Sequence, residues 1–230
     1  MPILKKRKKK PFGVERGQNN ASGQFNQLFH YRLSGTQATY EERLKILDDS
    51  LISDDLDNKK VVVIALGHAL QTNFLSRECG VEAQGSRAPQ EEWAPKTWKE
   101  VFDYWDGSLK RLKKCALTDS DIGKLARSQI ENSINGMLWN GRLDILEDVI
   151  FSICEVRGYF WPDVLYTLKR FMSHHSKDIP QEGKDRINSW MEKLGPNSVC
   201  DRAYVIIIHP ETYVISSEER ALFLAFLAIS

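Results

Sequence analysis

A chain of 230 residues, 42% of them hydrophobic, is long enough to bury a substantial core as one large domain or two small ones. Its longest apolar run, residues 221–229, is about half as long as a bilayer requires, so the sequence predicts no membrane-spanning helix. The formal net charge is +1, but residues 1–16 carry a surplus of six positive charges, which leaves the rest of the chain at about −5.

Residues 1–27 are predicted to form a basic, flexible segment ahead of the folded domain. Its basic cluster consists of Lys5, Lys6, Arg7, Lys8, Lys9 and Lys10. Such a cluster binds nucleic-acid phosphates by releasing counterions, or acts as a nuclear import signal in a eukaryote. A solvated, disordered start is the favoured interpretation, because no aromatic residues are interleaved with the lysines. No apolar stretch follows the cluster, so we expect no secretory signal and a cytoplasmic location.

Two helices are predicted in the N-terminal third of the chain. Thr39 and Glu42 form a capping box at the start of the first helix. Its apolar stripe is made of three leucines, Leu44, Leu47 and Leu51. The second helix is predicted over about residues 59–74. Within it, residues 61–64 are β-branched and would suit a strand, but the helical spacing continues beyond them and favours a helix.

Capping boxes also mark the starts of two central helices. Thr97 and Glu100 form the first box, ahead of an apolar stripe over residues 98–112. Thr118 and Asp121 form the second, which is imperfect because Glu or Gln is the usual partner of the capping residue. A further helix is therefore predicted to begin at this second box.

Three more helices are predicted toward the C-terminus. Apolar residues spaced three or four apart mark helices over residues 143–154 and 161–172, and Gly158 separates the two. A shorter helix over residues 187–194 is followed by a Gly-Pro stop. Only residues 203–208 have the pattern of a strand.

The predicted fold class is all-α, in the form of an irregular α-solenoid of HEAT-like helical repeats over residues 28–230. Helix pairs joined by short turns can bury their stripes only against neighbouring pairs, as such repeats do. No strict sequence period is visible, so an irregular helical bundle remains an alternative. The apolar run at residues 221–229 has no helix stop, which predicts either a truncated domain or a run covered by something else.

The long connection over residues 77–96 is the candidate partner-binding site. Connections of this length in compact domains are usually functional or disordered. Trp93, with prolines on both sides, is interpreted as an aromatic anchor that holds the loop to the body. The alternative is a binding ridge formed by Arg87, Trp93 and Lys96, because Trp and Arg dominate the energetics of protein interfaces. A protein partner is therefore expected, with nucleic acid as the second candidate.

No catalytic motif was found: the chain lacks a phosphate-binding P-loop, a G-x-S-x-G elbow and an H-E-x-x-H pair. The four cysteines are far apart in sequence, which favours free thiols over a zinc site: Cys79, Cys115, Cys154 and Cys200. We therefore predict no enzyme, no cofactor and no metal. A remote enzyme alternative requires loop carboxylates to converge with His68 or His30.

Three segments resemble a known group of proteins: residues 28–47 (LFHYRLSGTQATYEERLKIL), 84–105 (QGSRAPQEEWAPKTWKEVFDYW) and 194–210 (LGPNSVCDRAYVIIIHP). Their turns and aromatic residues are similar to the helical-repeat region downstream of the nucleotide-binding module in large bacterial STAND-NTPase-like or sirtuin-like proteins, many of them implicated in phage defence. The nucleotide-binding motifs have no counterpart here, so no catalytic residue is carried over. The resemblance implies a sensor or scaffold segment without catalysis of its own, which recognises a protein or a nucleic acid.

Overall fold

The computed structural model describes residues 21–73, 75 and 91–208, and within these ranges the chain is all-α, with no strand. The helices, in chain order, are α1 (Ala21–Gln27), α2 (Tyr40–Ile52), α3 (Leu56–Ala69), α4 (Trp98–Ala116), α5 (Asp121–Trp139), α6 (Leu143–Arg157), α7 (Pro162–His175), α8 (Gln181–Lys193) and α9 (Val199–Ile208), with a 3₁₀ turn at Ser176–Asp178 after α7. The all-α prediction is confirmed. No described helix is both long and apolar enough to cross a membrane.

Helices that are two apart in sequence pack side by side. One layer contains α3, α5 and α7, in which α5 contacts both of the others. The second layer contains α2, α4 and α6, in which α4 occupies the middle. The two layers meet where α4 packs against α3 and α5. This alternation is compatible with the predicted helical-repeat fold.

The core lies between the two layers and is rich in large side chains. Trp105 and Tyr104 of α4 are completely or almost completely buried, and the Tyr104 ring stacks on Tyr40 of α2 with a centroid distance of 4.0 Å. The Tyr104 hydroxyl donates a hydrogen bond of 2.8 Å to the Phe29 carbonyl. Because this buried hydroxyl has a partner, α4 can bury the Tyr104 ring without leaving its polar atom unsatisfied.

Ion pairs join helices of the second layer. Arg111 of α4 pairs with Asp48 of α2, and Lys113 of α4 pairs with Asp148 of α6 at 2.8 Å. At the far side of α6, Arg186 of α8 pairs with carboxylates of that helix. Partly exposed pairs of this kind contribute modestly to stability, but they fix the register of one helix against the next.

The capping boxes are only partly as predicted. At α2, the Thr39 hydroxyl accepts from the Glu42 N–H, and the Glu42 carboxylate accepts from the Thr39 N–H, so this box is complete. At α4, the Thr97 hydroxyl accepts from the Glu100 N–H, while the Glu100 carboxylate accepts from the N–H of Lys96 at 3.2 Å. Both helices nevertheless start at the predicted residues.

The predicted start of α5 at Thr118 is wrong. The capping residue is Ser120, whose hydroxyl accepts a hydrogen bond of 3.1 Å from the Gly123 N–H. The Thr118 hydroxyl instead donates to the Cys115 carbonyl, so it closes the preceding helix α4. Ser or Thr hydroxyls can satisfy orphan groups at either end of a helix, and the sequence pattern did not distinguish the two.

The predicted strand over residues 203–208 is also wrong, because these residues form the second half of α9. The Ser198 hydroxyl accepts from the Asp201 N–H, and the Asp201 carboxylate accepts from the Ser198 N–H, both at 3.0 Å. This reciprocal pair starts a helix, and the β-propensity of the following apolar residues is too weak to override it.

The β-branched residues 61–64 lie in the middle of α3, as predicted, although α3 ends at Ala69 rather than near residue 74. Residues 21–27 of the predicted N-terminal segment form α1, and Gln27 is buried there. The apolar run at residues 221–229 and residues 1–20 lie outside the described residues.

We expect Gly123→Ala to destabilise the protein by about 1–3 kcal/mol, because an added Cβ would lie 2.1 Å from the backbone oxygen of Thr118. Backbone atoms cannot yield as a flexible side chain can. Chemical denaturation measures the change in the free energy of unfolding.

The matched control is Gly107→Ala, also in a helix, where the nearest atoms are the side-chain ends of Leu44 at 3.0 Å and Arg111 at 3.3 Å. Its stability should change by less than about 1 kcal/mol, since alanine favours the helix and these side chains can move. Equal losses for the two variants would contradict the close approach at Gly123.

Candidate functional site

An open groove of about 1310 Å³ lies at the end of the stack where α2 and α4 end and α3 and α5 begin. We call it the basic groove. Four aliphatic and six basic side chains line it together with three aspartates: Leu51, Ile52, Leu56, Ile122; Lys59, Lys60, Lys110, Arg111, Lys113, Lys114; and Asp48, Asp121, Asp148. The groove therefore combines apolar surface with a positive charge, in a chain whose residues outside the N-terminal segment are net acidic.

Two aliphatic residues of the basic groove are unusually exposed. Ile52 is 80% exposed and Leu56 is 62% exposed. They flank the tight turn between α2 and α3, where the Asp55 carboxylate caps α3 by accepting from the Asp57 N–H at 2.9 Å. Because this cap fixes where α3 begins, the turn holds both side chains outside the core. Exposed aliphatic residues that share a groove are typical of binding surfaces.

Three of the basic side chains are engaged in ion pairs, and three are not. Arg111 pairs with Asp48, Lys113 with Asp148 and Lys60 with Asp57. In contrast, the lysines that form no ion pair with a described residue are Lys59, Lys110 and Lys114.

Lys110 and Lys114 are both exposed and lie one turn apart on α4. Like charges at this spacing destabilise a helix by a few tenths of a kcal/mol. Neither lysine obtains a compensating contact within the described part of the chain. Their positive charge is therefore available to a ligand in the basic groove.

A second cavity, of about 360 Å³, has a different chemistry. We call it the polar cleft; it lies between the C-terminal end of α3 and the second half of α5. Its lining is mainly amide, hydroxyl and imidazole groups, among them His68, Gln71, Gln129, Asn132 and Asn135. The cleft could hydrogen-bond a ligand but contains no cluster of exposed aliphatic side chains.

Trp93 is an anchor of the long connection rather than an exposed ridge. Its backbone N–H donates to the Thr36 carbonyl at 3.0 Å, and its ring meets Tyr40 edge-on with a centroid distance of 4.6 Å. The Arg43 guanidinium lies 5.7 Å from the centre of the same ring. These contacts place the Trp93 side chain against α2, in line with the favoured interpretation from the sequence.

Of the other candidate residues from the sequence, only Lys96 is among the described residues. Lys96 is exposed and precedes α4, where its backbone N–H donates to Glu100. Neither Lys96 nor Trp93 lines the basic groove. Arg87 and the basic cluster at residues 5–10 lie outside the described residues.

Two features of the sequence are related to the basic groove. Ile52 and Leu56 flank the polar turn at residues 53–55. Large aliphatic residues are unexpected next to such a polar turn. Residues 110–114 also concentrate basic side chains on one helix. Only the packing of α2 and α3 beside α4 brings the two features together.

A histidine pair, in which His30 is buried and His68 partly buried, joins α3 to the segment that follows α1. His30 Nε2 lies 3.2 Å from His68 Nδ1, so one imidazole donates and the other accepts. Burial, and then the neighbouring His68, lower the pKa of His30 to about 4. Burial also lowers the pKa of His68, although a hydrogen bond with Gln71 opposes this. The pair is therefore neutral near pH 7.

The same segment is held by a buried cation and a carboxylate. The Arg43 guanidinium donates to the carbonyls of His30 and Ala38 and to the Ser34 hydroxyl, all at 2.9–3.0 Å. The Glu92 carboxylate accepts from the N–H and the hydroxyl of Ser34. This network ties the segment after α1 and the residues before α4 to α2.

The described cysteines Cys115, Cys154 and Cys200 are free thiols, and Cys79 lies outside the described residues. Burial raises the pKa of Cys154 to about 11 and raises that of Cys115 as well, so both are protonated near neutral pH. Within the described ranges, no three His, Cys, Asp or Glu side chains are grouped so that they could hold a metal ion.

Comparison with known proteins gives no relative: no family model, no curated protein and no solved structure matches the chain. The functional inference therefore rests on the geometry of the basic groove.

We expect the free energy of unfolding to decrease as the pH falls from about 7 to about 4. The pKa of His30 is about 4 in the folded protein and 6.5 as the ordinary value, so the unfolded chain binds more protons over this range. His30→Gln should remove about 2 kcal/mol of that decrease. Urea denaturation at several pH values measures it.

The control is His174→Gln, because His174 is exposed and outside the pair. This variant should keep the pH dependence of the wild type. An identical pH dependence in wild type and His30→Gln would contradict the neutral, buried state of His30.

Proposed function

We propose that this chain is a non-enzymatic helical-repeat interaction module, which binds a segment of a partner protein in the basic groove. The observation that carries the proposal is the presence of exposed Ile52 and Leu56 in one groove with three lysines that form no ion pair with any residue the structure describes. Exposed aliphatic side chains provide affinity when a partner covers them, and the lysines favour an acidic partner.

The layered packing supports the choice of an interaction module over an enzyme. Side-by-side helices present extended surfaces and grooves, as helical repeats do when they bind other proteins. We interpret the stack as part of an irregular α-solenoid in the cytoplasm, and we extend the resemblance of residues 28–47, 84–105 and 194–210 to propose a sensor or scaffold segment of a bacterial defence NTPase.

Nucleic-acid binding through residues 5–10 is the second candidate, favoured by the six consecutive basic residues there. The basic groove is less suited to nucleic acid, because its aliphatic side chains have no counterpart on a phosphate backbone. The two functions therefore predict binding by different parts of the chain.

The test is binding of a fluorescent random copolymer of glutamate and leucine, measured by anisotropy. We expect the double variant Lys110→Glu with Lys114→Glu to bind at least about tenfold more weakly than wild type, because it replaces attraction by repulsion inside the groove. Circular dichroism checks that the variant keeps its helices.

The matched control is Lys45→Glu with Lys177→Glu, which changes the net charge equally at exposed lysines outside the groove. Its affinity should stay within about twofold of wild type. Equal loss in the two double variants, or no binding by wild type, would reject the basic groove as the binding site. Binding of oligothymidylate that disappears when residues 1–16 are deleted would support the second candidate instead.

A further inference from the structure

We propose that the occupant of the basic groove is an amphipathic helix of a partner protein, with an apolar stripe flanked by acidic residues on both sides. The inference rests on the proposed function and names the chemistry and conformation of the partner segment. Three features of the groove support it: its size, the position of its aliphatic residues and the fact that its lysines belong to two different helices.

The size of the groove favours a polypeptide segment over a small molecule. Its volume of about 1310 Å³ exceeds the range of about 300–1,000 Å³ that is usual for small-molecule sites. The groove is also open rather than enclosed, and it is lined by parts of α2, α3, α4 and α5 together with Asp148 of α6. A segment that enters it would therefore contact several helices along its length.

The aliphatic residues provide the anchors. Ile52 and Leu56 are 80% and 62% exposed, and the less exposed Leu51 and Ile122 line the same groove. A helix presents apolar residues at every third or fourth position as one continuous stripe. Such a stripe could cover both exposed side chains at once.

The lysines come to the groove from two different helices. Lys59 is on α3, whereas Lys110 and Lys114 are on α4. An amphipathic helix directs side chains sideways on both flanks of its apolar stripe, so glutamates or aspartates there can reach lysines of both helices. The charges of the groove thus match a partner whose apolar stripe is bordered by acidic residues.

Other occupants match the groove less well. Side chains of an extended segment alternate between two opposite directions, so its acidic residues would point away from the groove when its apolar residues point in. Nucleic acid carries phosphates but no aliphatic side chains to cover Ile52 and Leu56. A helical polypeptide matches both the apolar and the charged part of the surface.

The probe is a synthetic peptide of about 15 residues, with leucines spaced three and four apart, glutamates on both flanks and alanines opposite. Two control peptides keep this composition closely: one is scrambled, and the other has a proline in place of a central alanine on the outer face. Binding to the full chain is measured by fluorescence anisotropy, and helix formation on binding by circular dichroism.

We expect the intact peptide to become helical on binding and both control peptides to bind at least about tenfold more weakly. Ile52→Ser with Leu56→Ser should weaken the intact peptide to a similar extent. The matched control, Ile46→Ser with Val199→Ser, changes residues that are 53% and 61% exposed outside the groove and should leave binding within about twofold.

Three outcomes overturn the proposal. If the scrambled and proline peptides bind as tightly as the intact one, while Lys110→Glu with Lys114→Glu still abolishes binding, the occupant is not helical and the proposed function survives. If neither groove variant affects peptide binding, both the helical occupant and the proposed function fail. Displacement of the peptide by oligothymidylate at lower concentration would assign the groove to nucleic acid and also overturn the proposal.

Discussion

Each central helix of this protein has to bury apolar surface against helices of both layers, and the rest of the structure depends on that constraint. Along α4, the buried residues Val101, Trp105, Leu109 and Leu112 continue over the whole length of the helix. Burying each such side chain stabilises the folded state by about 1.5–3 kcal/mol, so packing that covers the sides of the helices is favoured. Within the described part of the chain, side-by-side packing covers the ends of the helices less than their sides. The basic groove lies at such an end, where two aliphatic residues of the α2–α3 turn remain exposed.

The charged side chains differ in the same way: those between helices form ion pairs, whereas several of those at the open end do not pair with described residues. Ion pairs such as Arg111 with Asp48 and Arg142 with Asp106 join neighbouring parts of the second layer. Lys59, Lys110 and Lys114 remain without such partners among the described residues, at the open end. Because residues 17–230 are net acidic by about five charges, the groove is a local positive region that would attract and orient an acidic partner.

The helices were predictable from the sequence because they depend on local signals. The spacing of apolar residues identified α3 to α8, and the capping pairs placed the starts of α2 and α4. The same local signals gave wrong predictions at two places. Thr118 was predicted to start α5 but closes α4. Residues 203–208 were predicted as a strand but form a helix, which the Ser198 and Asp201 pair starts. Both errors arose because one short pattern is compatible with two structures.

The candidate site was not predicted, because it depends on contacts between distant parts of the chain. Arg111 and Asp48 are 63 residues apart, and the His30–His68 pair is separated by 38 residues. The local sequence does not indicate which lysines form ion pairs and which do not. The flanking prolines led to the interpretation of Trp93 as an anchor, whereas the contact of its ring with Tyr40 is visible only in the fold.

The most direct test of the account is amide hydrogen exchange across the whole chain, with and without the acidic amphipathic peptide. If the peptide binds in the basic groove, exchange should slow in residues 50–60 and 110–122, where α2 and α4 end and α3 and α5 begin. Slower exchange confined to the polar cleft around His68 and Asn132, or no change at either end of the stack, would contradict it.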